Sequence, residues 1–278
     1  MRVLLILLVS GWISACGTLQ IEEKNFIRPD SLSGASPKGR LDQAGLQSVL
    51  PDAILRELSV PVAGGVNLRG VLVQRPNALA SVLYFGGSGF HLDDGAKVVA
   101  SRLSACQVNM VVFDYRGYGR SDGMPTVANM QQDALILFDH VNAQFPGQVL
   151  VHGHSLGSFV AAYVAQNRPV RGLVLEATAN NALEWAHANV PWYASAFVNL
   201  QVSESLKEID NARALTQFTQ PSLVLAGGLD RITPARLGRK VYDAMPTAAK
   251  QIVVVDAAHH TDLLLHPSAV SAYCAMLR

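Results

Sequence analysis

QVLVHGHSLGSFVAAYVAQN, residues 148–167, is the strongest indication of the fold in this 278-residue chain. It begins with an apolar run, residues 148–151, that is typical of a buried strand, and it ends in an Ala- and Val-rich segment, residues 158–167, that is typical of a helix. Between them stands a G-x-S-x-G motif with Ser155 at its centre. A serine in so sharp a strand-to-helix turn has a strained backbone and holds its hydroxyl clear of the chain. We therefore interpret residues 153–157 as a nucleophile elbow.

Strand-like and helix-like segments alternate on both sides of this turn. The predicted strands are residues 57–62, 66–74, 81–85, 110–114, 149–152, 172–176, 222–226 and 251–256. The predicted helices are residues 95–105, 127–145, 158–167, 237–244 and 268–277. This alternation predicts an α/β fold, with a mostly parallel central sheet and helices on both faces. The first two strands, joined at Gly64-Gly65, are expected to pair antiparallel.

An insertion interrupts this alternation at residues 179–217. It carries four aromatic residues, Trp185, Trp192, Tyr193 and Phe197. We expect the insertion to form a small helical lid over the ends of the strands, within a catalytic domain that covers residues 51–278. The aromatic side chains suit the wall of an acyl-binding pocket, and packing of the lid on the sheet explains them equally well.

The composition and net charge of the chain make some classes of function improbable. Half of the residues are hydrophobic and 15% are charged, which is typical of a packed globular protein. The net charge is +1 and the chain has no long basic run. Binding of nucleic acid needs a clustered positive surface, so we do not expect it here.

The first fifteen residues are typical of a secretory signal peptide. Arg2 supplies one positive charge, and the apolar run at residues 3–9 is too short to span a bilayer as a stable helix. Residues 13–16, ISAC, resemble the lipobox of bacterial lipoproteins. The resemblance implies that Cys16 becomes the lipidated first residue of the mature chain. An ordinary signal peptide with a chance cysteine is the alternative.

Lipidation at Cys16 implies stable membrane attachment, because two or more acyl chains anchor a protein firmly where a single chain does so only marginally. Gly17 stands where an Asp would favour retention in the inner membrane. We therefore expect a lipid-anchored protein of the cell envelope, on the outer membrane and facing the periplasm. Residues 16–50, which are rich in Pro, Gly and Ser, are expected to form a tether between anchor and domain.

Two further cysteines, Cys106 and Cys274, could pair in an oxidising periplasm. They stand at a predicted helix end and in an apolar C-terminal helix. Free cysteine is among the most buried residue types in proteins. The sequence therefore favours two buried free thiols over a disulfide.

A serine hydroxyl becomes a nucleophile when a base takes its proton and an acid orients that base. Asp230 follows the predicted strand 222–226 at the mouth of a glycine turn, where an orienting acid would be presented, although Asp also favours such turns for local reasons. His259 and His260 follow the last predicted strand. Because adjacent side chains in an extended loop point to different sides, only one of the two can reach Ser155.

The transition state of acyl transfer needs hydrogen-bond donors for its oxyanion. The backbone N–H of Leu156, next to the nucleophile, is one candidate. The glycine-rich loop at residues 86–89 supplies the other, with Ser88 the better donor by position and Gly87 the next. The same loop lacks the spacing of a phosphate-binding loop.

No metal site is expected, because vicinal histidines chelate a metal poorly and no suitably spaced third ligand follows them. No organic cofactor is implied by the motifs either. The predicted chemistry therefore rests on side chains and backbone N–H groups alone.

VFDYRGYGRSDG, residues 112–123, resembles the Asp-Tyr-Arg-Gly-Tyr-Gly signature of one branch of the α/β-hydrolases, the membrane-associated serine hydrolases. The resemblance covers roughly residues 60–275 and includes the elbow. The stretch around His260 is similar to the Gly-x-Gly-His-Asn-Asp pattern of that family, which implies His260 rather than His259 as the base. The chain differs at Gly86-Gly87, where the family usually has His-Gly.

The resemblance implies a serine hydrolase of carboxylic esters, including acyl or lipid esters. It implies an acyl-enzyme mechanism that uses Ser155, Asp230 and His260, with Asp114 and Arg116 as structural supports near the site. An acyl-thioesterase or a peptidase with the same three residues is an alternative, because one fold can host many activities. A non-catalytic lipoprotein that binds components of the envelope is a further alternative.

Overall fold

The structure is a computed structural model, and it describes residues 17–191, 193 and 198–277. The predicted signal peptide, the lipidation site Cys16, and the lid residues Trp192 and Phe197 lie outside the described residues. Within the described part of the chain, no helix is both long enough and apolar enough to cross a membrane.

The elements follow one another along the chain much as the sequence predicts. The strands are β1 Gly17–Ile21, β2 Ile54–Val62, β3 Val66–Gln74, β4 Ala80–Phe85, β5 Val108–Phe113, β6 Val149–His154, β7 Gly172–Glu176, β8 Val198–Val202, β9 Ser222–Gly227 and β10 Lys250–Val255. The helices are α1 Glu23–Phe26, α2 Asp30–Ser33, α3 Gln43–Gln47, α4 Leu92–Arg102, α5 Val127–Gln144, α6 Leu156–Asn167, α7 Ala182–Asn189, α8 Glu204–Lys207, α9 Asn211–Ala214, α10 Ala235–Ala244 and α11 Pro267–Met276.

Eight strands form one sheet in the order β10-β9-β7-β6-β4-β5-β3-β2. The hairpin β2–β3 and the pair β3–β5 are antiparallel, whereas the other neighbours are parallel. The core lies on both faces of the sheet, with α5, α6 and α10 on one face and α4 and α11 on the other. Fully buried strands such as β4, β5 and β9 are continuous apolar runs because both of their faces are covered. The predicted fold class is confirmed.

The parallel strands end at one edge of this sheet, and the loops that follow them meet there. The elbow follows β6, the turn that carries Asp230 follows β9, and the loop that carries His260 follows β10. The glycine-rich loop at residues 86–89 follows β4 at the same edge. In open α/β sheets this carboxyl edge is where ligands bind.

The lid insertion contains a strand as well as helices. Its described part comprises α7, β8, α8 and α9, and β8 pairs in parallel with β1 at the beginning of the described chain. The lid therefore contains the expected helices together with a strand that the sequence does not predict. The partner of β8 comes from a segment about 180 residues earlier in the sequence, which local pattern does not reveal.

Residues 17–34, which we call the N-terminal strap, lie on the domain rather than hanging free as a tether. Phe26 and Ile27 are buried, and the Phe26 ring packs against the Trp185 ring of the lid at 4.4 Å between centroids. Asp30 accepts from the Gly119 N–H at 2.9 Å and contacts His91 Nε2 at 2.7 Å. The structure thus differs from the expected tether. Phe26 and Ile27 are buried against the domain, but too few apolar residues recur in this segment to form a pattern that the sequence could reveal.

Cys106 and Cys274 form a disulfide, with their Cα atoms 4.7 Å apart. The prediction of two free thiols is therefore wrong. The turn that contains Cys106 packs beside α11, which carries Cys274. The two residues are 168 positions apart, so their proximity arises only from the way α4 and α11 share one face of the sheet.

Candidate active site

Ser155 stands between the last residue of β6 and the first residue of α6, as the elbow motif predicts. Its φ is 54° and its ψ is −119°, a conformation that non-glycine residues rarely adopt. Three hydrogen bonds hold it there. The Ser155 N–H donates to the Glu176 carbonyl at 2.9 Å, and the Ser158 N–H and hydroxyl donate to the Ser155 carbonyl at 2.9 and 2.6 Å.

The glycines on either side of the serine are required by close contacts between main chains. A Cβ atom on Gly157 would lie 2.0 Å from the Phe85 carbonyl oxygen, and a Cβ atom on Gly153 would lie 2.2 Å from the Gly157 carbonyl oxygen. Neither distance is possible for a real side chain. Only glycine therefore lets β4, β6 and α6 approach closely enough to form the turn.

The structure brings Ser155, His260 and Asp230 together at the carboxyl edge of the sheet. Ser155 Oγ lies 3.0 Å from His260 Nε2, and His260 Nδ1 lies 2.8 Å from Asp230 Oδ2. The Asp230 side chain is fully buried, whereas that of His260 is 14% exposed. His259 is exposed, and its backbone N–H donates to Asp262 Oδ1.

Asp230 accepts hydrogen bonds from the turn that follows it, and these contacts stabilise its ionised form. Its Oδ1 accepts from the Ile232 and Thr233 N–H groups at 2.8 and 2.9 Å, and the Thr233 hydroxyl lies 2.7 Å from its Oδ2. Burial raises the pKa of Asp230, but the hydrogen bonds from His260 and Thr233 outweigh it, so the net pKa lies below its ordinary value. An ionised carboxylate at this place keeps a proton on His260 Nδ1 and leaves Nε2 free to accept from Ser155.

The two predicted oxyanion donors lie beside the serine. Ser88 and Leu156 line the same cavity as Ser155, together with Gly87. Leu156 is the first residue of α6, where backbone N–H groups lack a partner inside the helix. In the described part of the chain neither the Leu156 N–H nor the Ser88 N–H has an acceptor. Both are therefore available to a ligand atom bound near Ser155 Oγ.

The cavity above the serine has a volume of about 420 Å³ and is mainly apolar. Its wall is formed by residues of the N-terminal strap, of α6, of the lid and of the glycine-rich loop at residues 86–89. The apolar lining residues are Phe26, Phe90, Leu156, Phe159, Trp185 and Ile232. Among the described residues, no group of His, Cys, Asp and Glu side chains is arranged to hold a metal ion.

Solved structures with the same architecture are numerous. An esterase of Pyrococcus furiosus superposes with a TM-score of 0.68 at 16% identity, over 91% of this chain and 97% of that one. Mouse α/β-hydrolase domain-containing protein 10 superposes with a TM-score of 0.61 at 19% identity, over 80% of this chain and 96% of that one. This chain has the α/β-hydrolase fold.

Sequence comparisons agree with the hydrolase fold. The family described as serine aminopeptidase S33 matches residues 76–213. An uncharacterized protein of Mycobacterium tuberculosis is 30% identical over 170 residues, which are 60% of this chain and 58% of that protein. Rat lysophosphatidylserine lipase ABHD12 is 31% identical over 186 residues, which are 60% of this chain and 46% of the lipase. The chain thus spans about half the length of the curated relatives it matches.

Two residues at this edge of the hydrolase fold were missed by the sequence reasoning. Thr233 holds the carboxylate of Asp230, and the Asp-x-x-Thr spacing of a side-chain-capped turn could have indicated it. His154, to which the sequence analysis assigns no role, donates from Nε2 to the His260 carbonyl at 2.9 Å. Burial lowers the pKa of His154, so its ring is neutral and Nδ1 keeps a lone pair. His154 therefore positions the loop that carries His260.

Asp114 and Arg116 make contacts away from Ser155. Arg116 forms a buried ion pair with Asp133, at 2.6 and 2.8 Å. Asp114 accepts from the Leu92 and Arg120 N–H groups at 2.7 and 2.8 Å, which joins the start of α4 to the loop after β5. Burial raises the pKa of Asp114 to about 6. Neither residue lines the cavity that contains Ser155.

Proposed function

We propose that this protein is a serine hydrolase that cleaves carboxylic esters through an acyl-enzyme. The observation that carries the proposal is the continuous contact from Ser155 Oγ to His260 Nε2 at 3.0 Å and from His260 Nδ1 to Asp230 at 2.8 Å. Nucleophile, base and orienting acid within hydrogen-bond reach are what covalent catalysis by serine needs. The hydrolase fold and the esterase and lipase names among the similar proteins support the same class.

In the proposed reaction, His260 Nε2 takes the proton from Ser155 Oγ as the oxygen attacks the ester carbonyl. The carbonyl oxygen becomes an oxyanion and accepts hydrogen bonds from the N–H groups of Leu156 and Ser88. His260 then gives its proton to the departing alkoxide, which leaves as an alcohol. A water molecule, deprotonated by His260, attacks the acyl-enzyme, and the acid leaves as Ser155 regains its proton. Asp230 stabilises the imidazolium in both steps.

The apolar lining of the cavity supports the proposal that the acyl group of the substrate binds there. Its lining of aromatic and aliphatic side chains offers few partners to a polar peptide. The matched family nevertheless carries the description serine aminopeptidase, so peptide hydrolysis by the same three residues is the second candidate. Turnover of an ester and an amide of the same acyl group distinguishes the two.

Ser155→Ala is expected to abolish both labelling by a fluorophosphonate probe and hydrolysis of p-nitrophenyl esters, because the attacking oxygen is lost. Labelling is measured by in-gel fluorescence and turnover by release of p-nitrophenol. Ser48→Ala, at an exposed serine whose hydroxyl contacts only the Gly45 carbonyl, is the matched control and keeps both activities. Label that persists in Ser155→Ala, or a wild-type chain that takes up none, contradicts the proposal.

The strap residue Phe26 is proposed to set the depth of the acyl cavity, since its ring lines the cavity and packs on Trp185. Phe26→Ala removes that wall and is expected to move the optimum of kcat/KM toward longer p-nitrophenyl esters. A series of acyl lengths measures the shift. Leu32→Ala, in the same strap but with a side chain 64% exposed, is the control and leaves the optimum in place. An unchanged optimum in Phe26→Ala shows that the acyl chain lies elsewhere.

We also propose that the protein is exported and lipid-anchored at Cys16, on the periplasmic side of the outer membrane. The signal peptide pattern and the lipobox support this location. The Cys106–Cys274 disulfide supports it independently, because disulfides persist in oxidising compartments.

Cys16→Ser is expected to move the protein from the membrane fraction to the soluble fraction, because the thioether to the lipid cannot form. Fractionation of cells and the mass of the N-terminal peptide measure the change. Thr18→Ala, two residues further along, serves as the control and stays with the membrane. A Cys16→Ser protein that fractionates like the wild type refutes the lipid anchor.

A further inference from the structure

Three buried polar side chains that the proposed reaction does not use lie behind the strained turn at Ser155. They are Ser158 on α6, Thr178 just after β7, and Asn211 at the start of α9 in the lid, and we call them the elbow network. Each of the three is at most 1% exposed. Burial of polar groups costs free energy unless they are hydrogen-bonded, and apolar residues of similar size would avoid that cost. The presence of three such residues behind the nucleophile therefore indicates a role for their hydrogen bonds.

The hydrogen bonds of the elbow network run in one direction. Asn211 Nδ2 donates to the Ala179 carbonyl at 3.1 Å and to the Thr178 hydroxyl at 3.0 Å. Of the two acceptors near the Thr178 hydroxyl, Ser158 Oγ at 2.8 Å is closer than the Ala179 carbonyl at 3.4 Å. The Ser158 hydroxyl in turn donates to the Ser155 carbonyl at 2.6 Å. Because an amide nitrogen only donates and a carbonyl only accepts, the direction is fixed at both ends.

The last of these hydrogen bonds fixes the peptide unit that follows the nucleophile. The Ser155 carbonyl has two lone pairs, and it accepts from both the N–H and the hydroxyl of Ser158. This carbonyl and the Leu156 N–H belong to one planar trans peptide unit, in which the two groups point in opposite directions. Two donors that hold the carbonyl therefore also set the direction of the Leu156 N–H. That N–H is one of the two proposed oxyanion donors.

We propose that Ser158 is a positioning residue that aims the Leu156 N–H at the oxyanion, and that Thr178 and Asn211 act through Ser158. The inference rests on the proposed acyl-transfer function and adds the residues that orient one of its oxyanion donors. None of the three members of the elbow network lines the cavity above Ser155, so none of them touches the substrate. Because Asn211 belongs to the lid, the network also joins the lid to the oxyanion site.

Ser158→Ala removes one of the two donors to the Ser155 carbonyl and leaves the backbone N–H of residue 158 in place. The maximal rate of labelling by a fluorophosphonate is expected to fall about five- to tenfold, because loss of a whole oxyanion donor costs about a hundred- to a thousandfold and here the donor is only less well aimed. The probe concentration at half-maximal rate is expected to stay the same, since the cavity is unaltered. Time courses of in-gel fluorescence at several probe concentrations measure both quantities.

The pH dependence of labelling separates this role from an effect on the base. It is expected to be the same in Ser158→Ala as in the wild type, because the contacts between His260 and Asp230 are not changed. A shifted pH dependence would show that Ser158 acts on the base instead, which contradicts the inference.

Ser81→Ala is the matched control for the loss of a buried serine hydroxyl. Ser81 is 1% exposed, lies in the first turn of the chain into β4, and its Oγ accepts from Asn109 Nδ2 at 3.1 Å. This variant is expected to lower the midpoint of thermal unfolding, as Ser158→Ala does, and to leave the maximal labelling rate unchanged. An unchanged maximal rate in Ser158→Ala, or an equal fall in Ser81→Ala, overturns the inference.

Variants of Thr178 test whether the network acts through Ser158. Thr178→Val removes the hydroxyl and is expected to lower the maximal labelling rate about two- to threefold, whereas Thr178→Ser keeps the hydroxyl and restores the rate. Added to Ser158→Ala, Thr178→Val is expected to cause no further loss, because the two residues act in series. A wild-type rate in Thr178→Val, or losses that multiply in the double variant, contradicts the inference.

Labelling needs no ester substrate, so failure of the inference and failure of the proposed function can be distinguished. A wild-type protein that takes up no label refutes the proposed function, and the inference falls with it. A wild-type protein that takes up label while Ser158→Ala and Thr178→Val label at the same rate refutes the inference alone.

Discussion

The sharp turn at Ser155 requires glycine at two positions. Gly153 and Gly157 allow β6 and α6 to meet at contacts that no Cβ atom could occupy, and Ser155 is thereby held at φ 54° between them. The strain is local and is supported by hydrogen bonds from Ser155 to the end of β7 and from Ser158 to Ser155. Such strain persists only where the surrounding structure over-determines it. Here the strained conformation holds the Ser155 hydroxyl clear of the main chain.

The parallel sheet then brings distant parts of the chain to that hydroxyl. Ser155 and His260 are 105 residues apart, and Asp230 and His260 are 30 apart. Ser155 and Asp230 follow the buried strands β6 and β9, and His260 lies in the loop after the edge strand β10. The rigid sheet therefore sets their separations while the loops carry the polar groups. Burial raises the pKa of Asp230, but hydrogen bonds from His260 and Thr233 outweigh burial, so the pKa lies below its ordinary value. The same edge holds the mainly apolar cavity that Ser155 lines.

The sequence is sufficient to predict those features of the structure that a short local pattern determines. The elbow, the strand–helix alternation and the loops with Asp230 and His260 are all local signals, and the fold followed from them. The sequence failed where distant segments meet. The pairing of β1 with β8, the packing of Phe26 on Trp185 and the disulfide between Cys106 and Cys274 depend on tertiary packing.

We propose that Ser155 and the nearby N–H groups form one preorganised site for an acyl-transfer transition state. A crystal structure of the protein after reaction with a fluorophosphonate tests it most directly. We expect a bond from phosphorus to Ser155 Oγ, with the phosphoryl oxygen about 2.7–3.1 Å from the N–H groups of Leu156 and Ser88. An adduct on another residue, or a phosphoryl oxygen turned away from both N–H groups, would show that these groups do not form such a site.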